Sequence, residues 1–119
     1  MKLRTRGDVA IIDYSGSLVV GVSEGVISSM VEKAIAAGHT NLLINLAGVD
    51  YVDSNGLGDL VQSYKIAQRE GAKVKLLRPQ ERVRKSLRLT MLLPLFEVHE
   101  DEDQAVDSFL DETGKVSES

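Results

Sequence analysis

The chain has 119 residues, a formal net charge of −4 and 43% hydrophobic residues, a composition typical of one soluble globular domain with a single core. It contains no cysteine, which excludes disulfides and thiol chemistry. No apolar run approaches the roughly 18 residues of a spanning helix, and the basic N-terminus lacks the apolar core of a secretory signal. We therefore expect a cytoplasmic protein without membrane insertion.

Strand and helix patterns alternate along the first half of the chain. Alternating apolar residues predict a strand over residues 8–14, and residues 2–6 are a candidate partner strand. Apolar residues at helical spacing predict a helix that Ser23 caps and that runs to about Ala37. The nearly continuous apolar run of residues 41–47 predicts a strand covered on both faces.

The second half repeats this alternation. A helix is predicted from about Leu57 to Gly71 and a strand over residues 72–77. Pro79 is expected to begin the next helix, with Val83, Leu87 and Met91 facing inward. A short strand over residues 95–98 follows, and a last helix opened by Asp101 or Asp103 carries Val106, Phe109 and Leu110. Together the patterns predict an α/β fold with a central mixed β-sheet of about four to five strands and about four helices packed on it. We assign residues 1–112 to the domain and residues 113–119 to a flexible C-terminal tail.

The stretch VDSNGLGDL, residues 52–60, places three polar side chains and two glycines where a strand gives way to a helix. An ordinary turn explains this composition, because Asp53, Ser54 or Asn55 can cap the free amides and glycine permits tight geometry. A functional interpretation uses the same geometry. A helix N-terminus stabilises negative charge, so a serine there can accept a phosphate, and about two added negative charges would change the surface that a partner meets.

The residues DSNGLG, from Asp53 to Gly58, resemble the D-S-[ST]-G-L-G signature of STAS domains, specifically of bacterial anti-sigma factor antagonists. The resemblance extends from about Asp8 to Leu110 and implies a single STAS domain with Ser54 as the regulated site. It implies that the unphosphorylated protein binds an anti-sigma factor that is also a serine kinase, which releases the sigma factor. The kinase then phosphorylates Ser54 and ends the complex, and a metal-dependent serine phosphatase resets it.

The same resemblance predicts a regulator of transcription and a phosphoprotein. We expect no cofactor and no enzymatic activity, because the sequence has neither a GxxxxGK[ST] motif for a nucleotide nor a G-x-S-x-G motif for hydrolysis. It also implies a partner-binding surface. We expect this surface to comprise Asp53, Ser54, Asn55, Gly56, Leu57, Gly58, Leu18 and Val19. The apolar loop from Leu18 to Val20 is consistent either with a place in the core or with a hydrophobic contact to a partner.

Three positions depart from the family pattern. Asn55 replaces the usual second Ser or Thr, so it cannot be a secondary phosphorylation site. Asp59 is expected in the first helical turn, where its carboxylate would repel a phosphate on Ser54. Val19 stands where the family usually has an aspartate that helps to engage the kinase-type partner. An alternative function is therefore a non-switching STAS scaffold, or a subunit of a stressosome-like or ABC lipid-transport assembly.

Two charged clusters have simpler interpretations. The basic cluster is interpreted as a solvated helix face or, alternatively, as a contact for an acidic partner surface. The absence of interleaved aromatic residues argues against nucleic acid. The cluster consists of Lys73, Lys75, Arg78, Arg82, Arg84, Lys85 and Arg88. The acidic run around His99 lacks the spacing of a calcium loop and is interpreted as charge that opens a helix. With His39 far from His99 in the sequence, we expect no metal site.

Overall fold

A computed structural model describes residues 2–21 and 23–118, with side chains described as far as Leu110. Its elements in chain order are β1 (Lys2–Arg6), β2 (Val9–Ser15), α1 (Val26–Ala36), β3 (Asn41–Gly48), α2 (Ser54–Arg69), β4 (Lys73–Leu77), α3 (Glu81–Leu89), a short 3₁₀ helix (Leu93–Leu95), β5 (Val98–His99) and α4 (Glu102–Glu118). Helix α4 continues past residue 112, where the sequence placed the end of the domain, and that division of the chain stays a prediction.

The strands form one sheet in the order β1-β2-β3-β4-β5. Strand β1 pairs with β2 antiparallel, and the other neighbours pair parallel. This confirms the predicted α/β fold with a mixed sheet. Because β2, β3 and β4 run parallel, their carboxyl ends share one edge of the sheet, and the loops that lead into α1, α2 and α3 leave from that edge.

The sheet separates two apolar cores of unequal size. Helices α1, α2 and α3 cover one face, where Ile27, Leu60 and Leu87 pack against strand residues such as Ile44. On the other face α4 covers a smaller cluster that consists of Val9, Ile11, Leu43, Leu77, Ala105 and Phe109. Strand β3 is therefore buried on both sides, as its continuous apolar run predicted.

Two predictions for the second half of the chain are wrong. Pro79 precedes α3 rather than opening it, because the extended backbone of Gln80 delays the first helical residue to Glu81. The side chain of Met91 is 79% exposed, because its backbone turns into the left-handed region with a φ of 63° and leaves the helix. The last helix carries Val106, Phe109 and Leu110 as predicted; Phe109 faces the sheet, and Leu110 is 64% exposed.

Lys75 does not belong to a solvated face, although its charge predicted one. It is 3% exposed, because alternate residues of β4 face α4. Its Nζ donates to Ser108 Oγ over 2.8 Å, pairs with Glu97 at 3.0 Å and lies 4.4 Å from the ring centroid of Phe109. A lysine can be buried here because the ammonium group keeps both an anionic and an aromatic partner.

An ion-pair network fastens the start of α4 to the edge of the sheet. The Arg4 guanidinium donates to Asp13 Oδ2 at 2.6 Å and to Glu102 Oε1 at 2.7 Å, and Arg6 adds a second contact to Glu102 at 2.9 Å. The hydrogen bond from Arg4 lowers the pKa of Glu102 from 4.5 to about 2, with a further contribution from Arg6. The charged form of Glu102 thus favours the folded state.

We predict that Glu102→Gln lowers the free energy of unfolding at pH 7 by about 1–2 kcal/mol, a figure reduced from the full pKa shift because the pair is partly solvated. A lowered pKa in the folded state gives stability that is present above pH 4.5 and is lost as the pH falls towards 2. Urea denaturation at pH 7 and pH 3 measures both values. The difference in the free energy of unfolding between variant and parent should be smaller at pH 3 than at pH 7. The control is Asp107→Asn on the exposed side of α4, which should leave the free energy of unfolding unchanged at both pH values.

Candidate functional site

The candidate site lies where the loops after β2 and β3 run side by side. The Gly16 amide donates to the Gly48 carbonyl at 2.8 Å, and the Leu18 amide donates to the Tyr51 carbonyl at 2.9 Å. Leu18 also forms an isolated parallel bridge with Val52. These bonds extend the pairing of the two strands beyond the sheet, so the β2–α1 loop is held against the segment that leads into α2.

Asp53 joins three segments of the site. Its Oδ1 accepts from the Gly56 amide at 3.0 Å and so caps α2. Its Oδ2 accepts from the Val20 amide, also at 3.0 Å. The backbone amide of Asp53 donates to the Leu18 carbonyl at 3.1 Å. The Val20 amide and then the Gly56 amide hold the pKa of Asp53 below its usual value. Of the three candidate caps in the motif, Asp53 is the one that the fold uses.

The two glycines of the motif differ in their surroundings. A Cβ on Gly56 would overlap the carbonyl oxygen of Leu18 and the side chain of Val52, so only glycine lets the first turn of α2 approach the loop this closely. A Cβ on Gly58 would meet nothing within 4 Å. Packing within the domain therefore requires Gly56 and leaves Gly58 unexplained.

Ser54 is the first residue of α2 and is exposed. Its hydroxyl makes no hydrogen bond with any other residue in the described part of the chain. Asn55 and Gly58 are exposed beside it, whereas Leu57 is 9% exposed and packs into the larger core. The hydroxyl is thus accessible on a rigid helix N-terminus, where added negative charge is tolerated.

The loop before α1 divides its apolar side chains between core and surface. Leu18 is fully buried, so the expectation that its side chain contacts a partner is wrong, and the reason is its bridge with Val52, which turns both side chains inward. Val19 is partly buried, and Val20 is 53% exposed. Of the two alternatives for this loop, Leu18 therefore follows the core and Val20 is the residue whose side chain is most exposed.

Asp59 has a role that the sequence did not predict. It lies beyond the first turn of α2, is 7% exposed, and accepts hydrogen bonds from the amides of Ile27 at 2.8 Å and Ser28 at 2.9 Å. We expected Asp59 in the first turn of α2, where its carboxylate would repel a phosphate on Ser54. That prediction is wrong, because Asp59 lies beyond the first turn and bonds to α1. The carboxylate instead caps the N-terminus of α1 from the neighbouring helix.

This cap explains why α1 begins later than predicted. Ser23 does not cap the helix, because its hydroxyl accepts from the Val19 amide at 2.9 Å and donates to the Val19 carbonyl at 3.2 Å. Helix α1 begins at Val26, after Gly25 in the left-handed conformation and without a side-chain cap of its own. Asp59 supplies that cap across the interface between α1 and α2.

The acidic run around His99 is occupied by local contacts. Asp101 accepts from the Gln104 amide at 2.9 Å at the start of α4, and Glu100 pairs with Arg84. In the part of the chain whose side chains are described, no three acidic or histidine side chains are grouped in a way that could hold a metal ion. Among the described helices none is long and apolar enough to cross a membrane.

The chain belongs to the STAS domain family, which matches residues 1–105. No curated protein matches the sequence. Among solved structures, the Thermotoga maritima protein TM1081 has a TM-score of 0.81 and 22% identity over 90% of this chain and 92% of its own. The Bacillus anti-sigma factor antagonist SpoIIAA, in its unphosphorylated form, has a TM-score of 0.75 and 23% identity over 92% and 96% of the two chains.

The STAS fold also occurs in another kind of protein. A sulfate transporter family protein from Wolinella succinogenes has a TM-score of 0.68 and 14% identity over 85% of this chain and 84% of its own. SpoIIAA has also been solved in a phosphorylated form, with a TM-score of 0.68 against this chain. At such identities these likenesses concern the fold.

The two glycines provide a matched pair of variants. Gly56→Ala should lower the free energy of unfolding by about 1–3 kcal/mol, because its methyl group overlaps the Leu18 carbonyl. Gly58→Ala should leave it unchanged or raise it by up to about 1 kcal/mol, since the site is open and alanine favours a helix. Urea denaturation followed by circular dichroism measures both. Equal losses in the two variants would contradict the packing described for Gly56.

The cap supplied by Asp59 can be tested in the same way. Asp59→Ala should lower the free energy of unfolding by about 1–3 kcal/mol, because two amides of α1 lose their acceptor. Hydrogen exchange at Ile27 and Ser28 should accelerate more than exchange in β3. The control is Asp50→Ala, since that carboxylate is exposed and accepts from Ser17 Oγ, so its loss should cost less than about 0.5 kcal/mol. Unchanged exchange at Ile27 and Ser28 would rule out the cap.

Proposed function

We propose that this protein is an anti-sigma factor antagonist that acts in the cytoplasm by partner switching, with Ser54 as its phosphoacceptor. In its unphosphorylated form it binds an anti-sigma factor that is a serine kinase, and the sigma factor is set free. The kinase transfers the terminal phosphoryl group of ATP to Ser54 Oγ, with release of ADP and a proton. A serine phosphatase later removes the phosphate and restores binding.

The observation that carries this proposal is the position of Ser54. Its hydroxyl is exposed and unengaged among the described residues, on a helix N-terminus whose backbone is fixed by Asp53 and by the close approach of Gly56. A kinase can reach such a hydroxyl without unfolding the domain. The dipole of α2 also favours negative charge at this end of the helix, so a phosphate on Ser54 is compatible with the folded domain.

The consequence of phosphorylation then falls on the partner contact. The contact surface that we propose has Ser54, Asn55 and Gly58 on its exposed part, supported from below by Asp53, Gly56 and Leu57, with Val19 in the adjoining loop. A phosphate adds about two negative charges to this surface. Burial of that charge against a partner would cost its hydration, and a change of a few kcal/mol shifts binding by two or more orders of magnitude.

The family membership and the anti-sigma factor antagonists among the structural neighbours support this function. The absence of a side chain at Gly58, which packing within the domain does not require, is consistent with close approach of a partner. The alternative of a non-switching scaffold predicts complexes that do not depend on the state of Ser54.

We predict that the protein, isolated from the organism that encodes it, carries a phosphate that adds about 80 Da. Tandem mass spectrometry should place it on Ser54. It should be absent from Ser54→Ala and retained in Ser29→Ala, which removes an exposed serine from α1. Ser54→Ala should retain a co-purifying kinase that Ser54→Asp loses. Equal co-purification with both variants would favour the scaffold over the switch.

A further inference from the structure

The end of α3 leaves two large apolar side chains in solvent. Met91 is 79% exposed and Leu89 is 72% exposed, the two highest values for large apolar residues in the described part of the chain. The core does not need them, because Val83 and Leu87 fill the inward positions of α3 and are fully buried. Neighbouring exposed apolar residues of this size mark a contact surface more often than isolated ones do.

The turn that presents Met91 is defined by hydrogen bonds. The Leu92 amide donates to the Leu87 carbonyl at 2.8 Å, and the Met91 amide donates to the Arg88 carbonyl at 3.1 Å. This pair of bonds is the Schellman motif, which needs a left-handed residue directly after the helix and favours glycine there. Met91 holds that position with a φ of 63°. The chain thus keeps a large exposed side chain where the fold alone favours none.

Basic residues share one side of α3 with Leu89. Arg82, Lys85 and Leu89 are spaced by three and four positions, which puts them on the same side of the helix, and all three are exposed. Arg82 and Lys85 form no ion pair with any described residue. The single carboxylate of α3 is that of Glu81, at the opposite end of the helix and 3.9 Å from Arg88. The end of α3 is therefore an apolar tip with basic side chains beside it.

This combination matches an anionic lipid surface. Leucine and methionine side chains enter the boundary between head groups and acyl chains, while the flexible stems of arginine and lysine let their charges reach the lipid phosphates. At 72% and 79% exposure the two apolar side chains protrude from the domain, and a lipid surface adapts to such a shape. A second copy of the chain fits less well, because a symmetric contact through this side of α3 would set like charges against one another.

We propose that the end of α3 docks on the surface of a membrane that contains anionic lipids, with Leu89 and Met91 as the apolar contacts and Arg82, Lys85 and Arg88 as the basic ones. The protein lies on the membrane and does not span it. Helix α3 starts near the edge of the sheet that carries Ser54 and ends away from that edge. Docking thus leaves Ser54 exposed, and it does not depend on whether Ser54 is phosphorylated.

Co-sedimentation of the full chain with lipid vesicles tests the proposal. At low ionic strength the parent should bind vesicles of phosphatidylcholine and phosphatidylglycerol at least about tenfold more tightly than vesicles of phosphatidylcholine alone. Leu89→Ser should lower the partition coefficient for the anionic vesicles roughly tenfold, and Lys85→Gln should lower it roughly fivefold. The matched controls are Leu110→Ser, in α4 on the other face of the sheet, and Lys33→Gln, in α1. Both should bind as the parent does.

Met91→Gly separates docking from folding. Glycine suits the left-handed position, so the midpoint of urea denaturation should stay the same or rise. The partition coefficient for the anionic vesicles should nevertheless fall roughly fivefold or more, because the apolar side chain is lost. A side chain kept only for the fold would give a lower midpoint and unchanged binding.

Three results would overturn the proposal, provided that circular dichroism shows each variant to be folded. The parent could remain in the supernatant with anionic vesicles. Leu89→Ser and Met91→Gly could both bind as tightly as the parent. The control variants could lose as much binding as their matched partners, which would show attraction without a defined surface. If the parent ignores vesicles while Leu89→Ser loses a co-purifying protein, the tip of α3 binds protein and the membrane proposal is wrong.

Discussion

The double use of the Asp53 carboxylate is the interaction on which the site depends. One oxygen caps α2 and the other holds the Val20 amide, so the position of the loop after β2 is coupled to the start of the helix that carries Ser54. Gly56 allows the coupling, because any larger residue would push the helix away from Leu18. Among the described residues the exposed Ser54 hydroxyl has no hydrogen-bond partner, because its neighbour Asp53 caps the helix.

Much of the fold could be predicted from periodicity. Strand β3 has apolar residues on both faces, and the apolar spacing of α2 from Leu57 onwards ends at Gly71, so both elements have strong local signals. The motif from Asp53 to Gly58 located the site for the same reason, because caps and tight turns depend on residues a few positions apart. These features are local, and a single sequence contains them.

The features that could not be predicted depend on distant partners. The role of Asp59 was inferred from its position in the sequence, but the amides that donate to its carboxylate are 31 and 32 residues away in α1. Lys75 has an ordinary surface composition around it and is buried because Ser108 and Phe109 lie opposite. The division between Leu18 in the core and Val20 on the surface is set by the bridge to Val52, which no pattern in the loop itself reveals.

Because Asp59 of α2 caps the N-terminus of α1, the cap has a consequence for the order in which the domain assembles. A helix with its own N-cap residue can form its first turn early, from contacts among near neighbours. Helix α1 lacks one, so its opening turn is completed only when a segment synthesised much later has docked alongside it. The first turn of α1 thus cannot reach its final form before Asp59 has docked, and nascent chains that end before Asp59 leave those amides to water.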